Sequence, residues 1–206
     1  SGGAARLNAD GTVDPTFDRT NFDSQRIYKI AIQSDGKILA GGFIFTVSGS
    51  KGIIRVNSNG SLDGTFTLST TSVSVVYAIS LLTNGQMYVG GQFNNYAASG
   101  RNRIVRLNST GTVDSTFDTG TGPNSSVRTI ALQQDGKVLI GGDFTTFNAV
   151  NAGRIARINA NGTLDVTFLT GHGFDNAVYD LFPQQGNGSI LVGGFFTPAN
   201  GTRRTG

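Results

Sequence analysis

Arginine and aspartate recur at a fixed spacing and are the residues of this sequence best suited to electrostatic or acid–base chemistry. Each Arg precedes its Asp by eight residues, in the pairs Arg6/Asp14, Arg55/Asp63, Arg106/Asp114 and Arg157/Asp165. An Arg that faces a cleft could bind an anion, and an Asp with a perturbed pKa could transfer a proton. Ligand-facing Arg residues or catalytic Asp residues are therefore one interpretation of the pattern.

A β-hairpin explains the same spacing without a ligand. A Gly turn separates each Arg from its Asp, and a three-residue loop that ends in this Gly is a common hairpin geometry. In that register Asn108 pairs with Thr112, and Arg106 lies directly opposite Asp114. Opposite charges in this arrangement contribute roughly 0.2–1 kcal/mol per pair. We predict that all four are structural cross-strand pairs, and that the side chains of Arg106 and Asp114 are hydrogen-bonded.

Other catalytic or metal-binding chemistry has little support in the sequence. It contains no Cys and no Glu, and its one His is His172. These absences exclude thiolate nucleophiles, thiolate metal sites and zinc sites with several His ligands. Residues 8–14 resemble part of a calcium loop, but they offer at most two carboxylates, and a plain hairpin turn is favoured. We predict no catalytic residue, no metal and no cofactor, and the alternative is a hydrolase that uses a pair of Asp residues.

The elements that position these side chains occur four times. The Arg-containing segment and a later Gly-Gly pair recur every 49 to 52 residues, and self-similarity at such a period indicates a repeat architecture. We predict a single domain, 1–206, with repeats at approximately 4–50, 51–100, 101–153 and 154–206. The clearest unit has predicted strands at 127–132, 137–140, 154–158 and 163–168, with hairpin turns at Asp135-Gly136 and Asn161-Gly162.

These strands carry apolar residues on both faces. In the first strand Ile130 and Leu132 point one way, and Val127 and Ala131 point the other. A sheet with one wet face would alternate polar and apolar residues, so we expect sheets stacked on neighbouring sheets. The predicted fold is all-β, a β-propeller of four antiparallel blades with about 50 residues and four strands each. It is either four-bladed or part of a larger ring, with the Gly-Gly pairs in the crowded region near the axis.

Recurrent phenylalanines are expected to fill the core between these sheets. They occupy fixed places in each copy, at Phe17, Phe66, Phe117 and Phe168 and at Phe43, Phe93, Phe144 and Phe195. An aromatic platform for sugars or bases is the functional alternative. Packing between blades is favoured, because large rings supply much of the buried area of a protein.

The recurring pattern resembles a known family. The segments I-x-R-L-N-x-x-G-T-V-D-x-T-F and Q-x-D-G-K-V-L-I-G-G-x-F are similar to the delta-60 repeat, a β-propeller repeat of bacterial and phage surface proteins. All four copies carry the pattern, and the second departs most, with Thr83-Asn84-Gly85-Gln86 in place of Gln-x-Asp-Gly-Lys. The resemblance implies a β-propeller in an extracellular setting, and it does not imply an activity.

Composition narrows the partners and the localisation. The net charge is +3, and the Arg residues are spread over the copies instead of clustering with aromatic residues, so we predict no nucleic-acid partner. No apolar stretch approaches the roughly 20 residues of a membrane span. Because the sequence starts without Met and stops within a new copy, we expect a segment of a larger extracellular, cell-surface or virion surface protein.

Binding is expected in the loops, because loops on a rigid scaffold often carry recognition. The loops differ among the copies and are rich in Asn, Thr, Ser and Gly. The candidate ligand contacts within them are Phe22, Tyr96, Phe147, His172 and Phe174. The predicted function is a non-enzymatic structural or adhesive module that binds other protein subunits or flanking domains. The alternative is a lectin-like propeller whose loops bind a cell-surface glycan.

Overall fold

The chain folds into short β-strands joined by tight turns. The computed structural model describes residues 3–46, 49–67, 75–168, 173–184, 186 and 188–197. In chain order the strands are β1 (Arg26–Ile32), β2 (Ile38–Phe43), β3 (Phe45–Thr46), β4 (Gly49–Ser50), β5 (Ile53–Val56), β6 (Val75–Leu81), β7 (Met87–Gln92), β8 (Ile104–Leu107), β9 (Val127–Leu132), β10 (Val138–Gly142), β11 (Thr146–Phe147), β12 (Val150–Asn151), β13 (Ile155–Ile158), β14 (Val178–Pro183) and β15 (Ile190–Gly194). A short 3-10 helix spans Tyr96–Ala98. Within the described ranges, no helix has the length and apolar character needed to cross a membrane.

Four antiparallel sheets, named blades 1 to 4, contain the longer strands. Blade 1 has the order β1-β2-β5, blade 2 the order β6-β7-β8 and blade 3 the order β9-β10-β13, and blade 4 pairs β14 with β15. Neighbours in each sheet therefore follow the order of the chain. The hairpins β3-β4 and β11-β12 belong to the loops after the second strands of blades 1 and 3. The prediction of an all-β antiparallel fold is confirmed.

Local turn chemistry explains the first hairpin of each blade. In blade 3, β9 and β10 pair from Val138 and Leu132 onwards. Between them Gly136 has a φ of 79°, which glycine adopts without steric cost. Oδ1 of Asp135 accepts the backbone N–H of Lys137 at 3.0 Å. Turns of this kind reverse the chain between two apolar runs, and β9 occupies the range predicted for the first strand.

The fourth segment of each repeat is shorter than predicted. In place of a strand over 163–168 there is an isolated bridge between Ile158 and Leu164, with equivalents at Leu7/Val13, Val56/Leu62 and Leu107/Val113. Asp165 ends the ladder because its Oδ1 accepts hydrogen bonds from the backbone N–H and the hydroxyl of Thr167, at 3.0 and 2.6 Å. A side chain that satisfies nearby backbone groups competes with strand pairing. Blades 1 to 3 therefore have three strands each, followed by a bridged hairpin.

The blades stack face to face through their first and second strands. β6 packs on β1 and β2, β9 on β6 and β7, and β14 on β9 and β10. The first Gly of each Gly-Gly pair makes room for this stacking. A Cβ at Gly41 would lie 2.7 Å from Cγ1 of Val76 in the next blade, and one at Gly141 would lie 2.5 Å from Cγ1 of Val178. Stacked antiparallel sheets with converging first strands are the architecture of a β-propeller, and the number of blades in a closed ring stays a prediction.

Most of the recurrent phenylalanines pack between the blades. Phe66, Phe93, Phe117 and Phe144 are all buried. Phe195 differs, because it is 72% exposed, and its neighbour Phe196 packs into the core between blades 3 and 4. The equivalent core residue in the last copy is thus one position later than predicted.

Candidate binding cleft

A β-bulge occurs at the same position in all four blades. The pairing between first and second strands slips by one residue beside each Gly-Gly pair, so one residue of each first strand lacks a cross-strand partner. These bulged residues are Tyr28, Tyr77, Arg128 and Tyr179. Bulges redirect side chains and are frequent beside functional sites. The four bulged residues therefore define a candidate site that repeats with the fold.

The second Gly of each Gly-Gly pair permits the bulge. A Cβ at Gly142 would collide with the backbone carbonyl oxygen of Ser126, and one at Gly42 would collide with that of Arg26. The same collision would occur at Gly91 and Gly194. Only a residue without a Cβ lets the two strands approach this closely. The two glycines of a pair therefore have different roles. In blades 1 to 3 the first Gly makes room for a Val side chain of the next blade, and in all four blades the second Gly makes room for the backbone at the bulge of its own blade.

The bulged residues line one cleft of about 450 Å³ between the first strands. Their side chains form a row in blade order. The ring centroids of Tyr28 and Tyr77 are 5.3 Å apart, and the guanidinium of Arg128 lies over the rings of Tyr77 and Tyr179, 5.1 and 5.2 Å from their centroids. Tyr28 and Tyr179, at the ends of the row, are 52% and 50% exposed. Their rings are therefore accessible to a ligand.

Arg128 dominates the electrostatics of the cleft. Its Nε donates a 2.7 Å hydrogen bond to Oδ1 of Asp143, and this bond raises the pKa of Arg128. Burial raises the pKa of Tyr77, so its phenol stays protonated at neutral pH. The Tyr77 hydroxyl lies 3.4 Å from Oε1 of Gln92, at the position equivalent to Asp143. The tyrosine rings of the cleft can stack on a ring of a ligand, the guanidinium of Arg128 can lie against an aromatic face, and the hydroxyl groups can donate hydrogen bonds.

The residues compared above with a calcium loop form a hairpin turn. Oδ1 of Asp10 accepts hydrogen bonds from the N–H and the hydroxyl of Thr12, at 2.9 and 2.7 Å, and Asp14 is bound by Arg6. Both carboxylates are thus directed at groups of their own repeat. In the part of the chain that the structure describes, no group of three or more His, Cys, Asp or Glu side chains could hold a metal ion.

The aromatic residues predicted as loop contacts do not form a surface. Phe22, Tyr96 and Phe147 are 1%, 1% and 0% exposed, and Phe174 is partly buried against the core between blades 3 and 4. His172 lies outside the described residues. The buried rings anchor polar loops to the core, because a large ring gains more from burial than from exposure. This differs from the prediction that these side chains contact a ligand.

The four Arg–Asp pairs are present in the structure. Nε of each Arg donates to Oδ2 of its Asp, at 2.8 Å in Arg6/Asp14 and at 2.7 Å in Arg55/Asp63, Arg106/Asp114 and Arg157/Asp165. Nη1 of Arg55 also donates to the carbonyl of Ser109 in the next repeat at 2.5 Å, and its guanidinium lies 4.6 Å from the ring centroid of Phe66. These contacts join neighbouring repeats and direct the Arg side chain into the protein.

The same contacts lower the pKa of the aspartates. Burial alone would raise the pKa of Asp63, but hydrogen bonds, the largest from Lys37, outweigh burial and hold this pKa well below its usual range. Burial of Asp114 is likewise outweighed by hydrogen bonds from Thr116 and the paired Arg, and its pKa falls to about 2. For Asp165 the hydrogen bond from Lys137, the equivalent of Lys37, is the largest cause of a lowered pKa. These carboxylates stabilise the fold while they are ionised.

We expect acid to destabilise the fold between about pH 4 and pH 2. A carboxyl whose pKa is lowered on folding contributes stability that is complete above its ordinary pKa of 3.8 and is lost as the pH falls toward the folded pKa. Asp114 alone should contribute about 1–2 kcal/mol after allowance for solvent screening. Urea midpoints at neutral and acidic pH measure this loss, and Asp114→Asn should flatten the profile. Equal midpoints at both extremes would contradict these pKa assignments.

Sequence reasoning did not identify the bulged residues as a site. They lie inside predicted strands, where alternation assigns every residue to one face of the sheet. The available signal was their position in the repeat, because Tyr28, Tyr77, Arg128 and Tyr179 follow one another at intervals of 49, 51 and 51 residues. A large side chain with a polar tip at this one position of an otherwise mainly apolar strand could have marked the cleft.

Comparison with family models agrees with the fold. The model described as "Domain of unknown function (DUF5122) beta-propeller" matches residues 2–17, 33–66, 82–117 and 133–168, which together are more than half of the chain. This match supports the coarser part of the predicted resemblance, a β-propeller repeat, and the delta-60 repeat itself stays a prediction. No curated protein matches this sequence.

Several solved structures share the architecture at low sequence identity. The WD40 β-propeller domain of Doa1 has a TM-score of 0.61 at 19% identity, over 92% of this chain and 53% of that chain. A gluconolactonase from Xanthomonas campestris has a TM-score of 0.56 at 12% identity, over 92% and 61%. PorZ, a bacterial surface component of the type-IX secretion system of Porphyromonas gingivalis, has a TM-score of 0.55 at 9% identity, over 93% and 30%. The chain spans less than two thirds of each, and the similarity shows the fold.

Proposed function

This chain belongs to the β-propeller family described as a domain of unknown function, DUF5122, and from that premise we propose that it is a non-enzymatic attachment module of a larger extracellular or virion surface protein. The partner is a protein segment held in the cleft between the first strands. The observation that carries the proposal is the bulge in every blade, which brings Tyr28, Tyr77, Arg128 and Tyr179 into one row.

The chemistry of the cleft suits a polypeptide. The first strands are edge strands of their sheets. Among the described residues, the edge of each first strand that faces away from the second strand has no partner strand. Backbone donors and acceptors therefore border the cleft, and an extended peptide can bind to such edges. Tyr28 and Tyr179 offer accessible rings, and Arg128, Lys29 and Asp180 offer charges of both signs. Aromatic residues and Arg are common anchors of protein interfaces.

Two further observations support this assignment. Arg128 is paired with Asp143, and the raised pKa of Tyr77 keeps its phenol neutral, so both side chains are suited to binding. The similarity to PorZ, a bacterial surface component, is in keeping with an extracellular setting. The similarity to a gluconolactonase, at 12% identity, is a similarity of fold.

A carbohydrate is the second candidate partner. The half-exposed rings of Tyr28 and Tyr179 could stack on sugar rings, and the neighbouring Lys29 and Asp180 could bind hydroxyl groups. This version moves the lectin-like site from the loops, where several predicted aromatic contacts are buried, to the cleft.

We expect Tyr179→Ala to weaken partner binding about tenfold, because loss of an aromatic anchor costs roughly 1–2 kcal/mol. A random peptide display library and a glycan array are screened with the same protein. The dissociation constants of the recovered ligands are then measured by calorimetry for the wild type and the variant. Leu62→Ala is the matched control, because it removes a side chain that is similarly exposed, at 54%, outside the cleft.

The outcomes separate the two partners. Peptide ligands that lose affinity in Tyr179→Ala and keep it in Leu62→Ala support the proposal. Glycan ligands with the same sensitivity, without peptide ligands, replace it with the carbohydrate version. If neither class binds, or if Tyr179→Ala binds as tightly as the wild type, the cleft is not the attachment site.

A further inference from the structure

Two arginines have a backbone conformation that is unfavourable for any residue other than glycine. Arg103 and Arg154 directly precede the third strands of blades 2 and 3, and their φ angles are 62° and 74°. Across Arg103 the N–H of Ile104 also donates to the carbonyl of Asn102 at 2.7 Å, which makes a classic γ-turn, a rare and strained geometry. Strain that persists in a folded chain is frequent at binding and catalytic sites.

The first copy shows that glycine satisfies the backbone at this position. Gly52 is the equivalent residue, and its φ is 68°. Its carbonyl accepts the N–H of Gly42 at 2.8 Å, as the carbonyl of Arg103 accepts the N–H of Gly91 at 2.9 Å. Glycine adopts a positive φ without steric cost. The fold therefore explains the backbone conformation and does not explain why an arginine occupies it.

The side chain of Arg103 has no structural partner. It makes no hydrogen bond and no ion pair with any described residue, and Arg103 is partly exposed. Its neighbour Arg101 differs, because Nη1 of Arg101 pairs with Oδ1 of Asp118 at 2.8 Å. The guanidinium of Arg103 thus keeps its positive charge and its N–H donors for a ligand.

The contacts of Arg103 place it beside the cleft. Its N–H donates to the carbonyl of Phe93 at 2.9 Å, and its carbonyl accepts from Gly91. Gln92 lies between these two residues, and its Oε1 is 3.4 Å from the hydroxyl of Tyr77. One residue therefore separates Arg103 from the row of bulged side chains.

Blade 3 repeats this arrangement. Nη1 of Arg154 donates to the carbonyl of Asp143, whose Oδ1 accepts the bond from Nε of Arg128. Blades 2 and 3 stack on each other, and each has a further blade on its other face, so the arrangement does not depend on where the chain begins or ends. The two arginines thus add positive charge to adjacent blades beside the cleft.

We propose that Arg103 and Arg154 bind carboxylate groups of an acidic protein segment in the cleft, an inference that rests on the proposed function and specifies the charge of the partner. A guanidinium can bind a carboxylate through two parallel hydrogen bonds. An extended segment that crosses from blade 2 to blade 3 meets first one arginine and then the other. A protein segment is favoured over an acidic glycan, because the outer edges of β6 and β9 offer backbone hydrogen bonds.

The first experiment measures what the arginines cost the fold. Arg103→Gly is expected to raise the midpoint of thermal unfolding by roughly 2–4 °C, because it relieves the strain of a positive φ. Arg154→Gly should gain less, because it also loses the bond to the carbonyl of Asp143. Both variants are measured by calorimetry without ligand. A lower midpoint in Arg103→Gly would mean that this side chain stabilises the fold, which overturns the proposal.

The second experiment measures binding of a labelled hexaglutamate peptide by fluorescence anisotropy at low ionic strength. Arg103→Gly should weaken binding about tenfold, because it removes a charged hydrogen-bond donor. Arg19→Gln is the control and should bind as the wild type does. It removes the same charge at an exposed position that does not line the cleft, next to Asp18, which is hydrogen-bonded to Asn59.

Three results overturn the proposal. In the first, the wild type does not bind hexaglutamate. In the second, Arg103→Gly binds it as tightly as the wild type or no more weakly than Arg19→Gln. In the third, dextran sulfate binds in its place, which would make the partner an acidic glycan.

The same variants separate this proposal from the proposed function. If library peptides lose affinity in Tyr179→Ala and keep it in Arg103→Gly, the cleft binds a partner without acidic groups, and only the role of the arginines is overturned. If hexaglutamate loses affinity in Arg103→Gly and keeps it in Tyr179→Ala, the arginines bind carboxylates as proposed, and the cleft is not the attachment site.

Discussion

Gly142→Ala is expected to cost about 4 kcal/mol or more of unfolding free energy, or to prevent folding. The added Cβ would collide with the backbone carbonyl oxygen of Ser126, next to the bulge at Arg128. A rotamer change cannot relieve a collision with backbone, so the strands would have to separate. Folded domains are stable by only about 5–15 kcal/mol. Denaturant unfolding of the purified variant, or its recovery in the insoluble fraction, measures the effect.

Two other glycines provide a graded comparison. A Cβ at Gly141 would meet side-chain atoms of Val178 and Thr129, at 2.5 and 2.9 Å, and side chains can shift, so Gly141→Ala should cost about 1–3 kcal/mol. A Cβ at Gly64 would have nothing within 4 Å, so Gly64→Ala should be neutral or slightly stabilising. Equal losses in all three variants would mean that chain entropy, and not the collision with backbone, determines the result.

Local signals made much of the fold predictable. β9 begins and ends where the sequence placed it, because its apolar run and the Asp135-Gly136 turn lie within a dozen residues. The contact between Arg106 and Asp114 follows from the length of one turn, and the structure has the same register, in which the N–H of Asp114 donates to the carbonyl of Arg106. Such pairings depend on neighbours in the chain and not on the rest of the molecule.

The cleft was not predictable by the same reasoning. Alternation assumes that successive residues of a strand point to opposite faces, whereas the bulge inserts one extra residue, Arg128, into β9. The space for this bulge comes from the neighbouring strand, where Gly142 has no Cβ. The loops present a similar difficulty. Their average composition is polar, yet Tyr96 packs against Phe93 with ring centroids 5.0 Å apart, and burial raises its pKa. The fate of a single ring depends on tertiary contacts that composition does not describe.

The Arg–Asp pairs allow burial to be separated from geometry. Arg6 and Arg55 make the same contacts to their own Asp and to the carbonyl of the next repeat. Their side chains differ in exposure, at 40% for Arg6 and 7% for Arg55. The first copy thus provides a control for the second, with the same Arg contacts to Asp and to the carbonyl in a more exposed place, while Asp63 has an additional hydrogen bond from Lys37.

Arg55→Ala is expected to lower the unfolding free energy by about 3 kcal/mol, because it removes one partner of a buried ion pair. Asp63 would keep the hydrogen bond from Lys37, at 2.9 Å, which limits the loss, while the carbonyl of Ser109 would lose this donor. Arg6→Ala should have a much smaller effect, because water can replace an exposed partner. Urea unfolding of both variants at neutral pH tests the difference. Each of the two Arg side chains also lies over a phenylalanine ring, Arg6 over Phe17 and Arg55 over Phe66. Equal losses in the two variants would mean that this ring contact contributes more to stability than the exclusion of water from the ion pair.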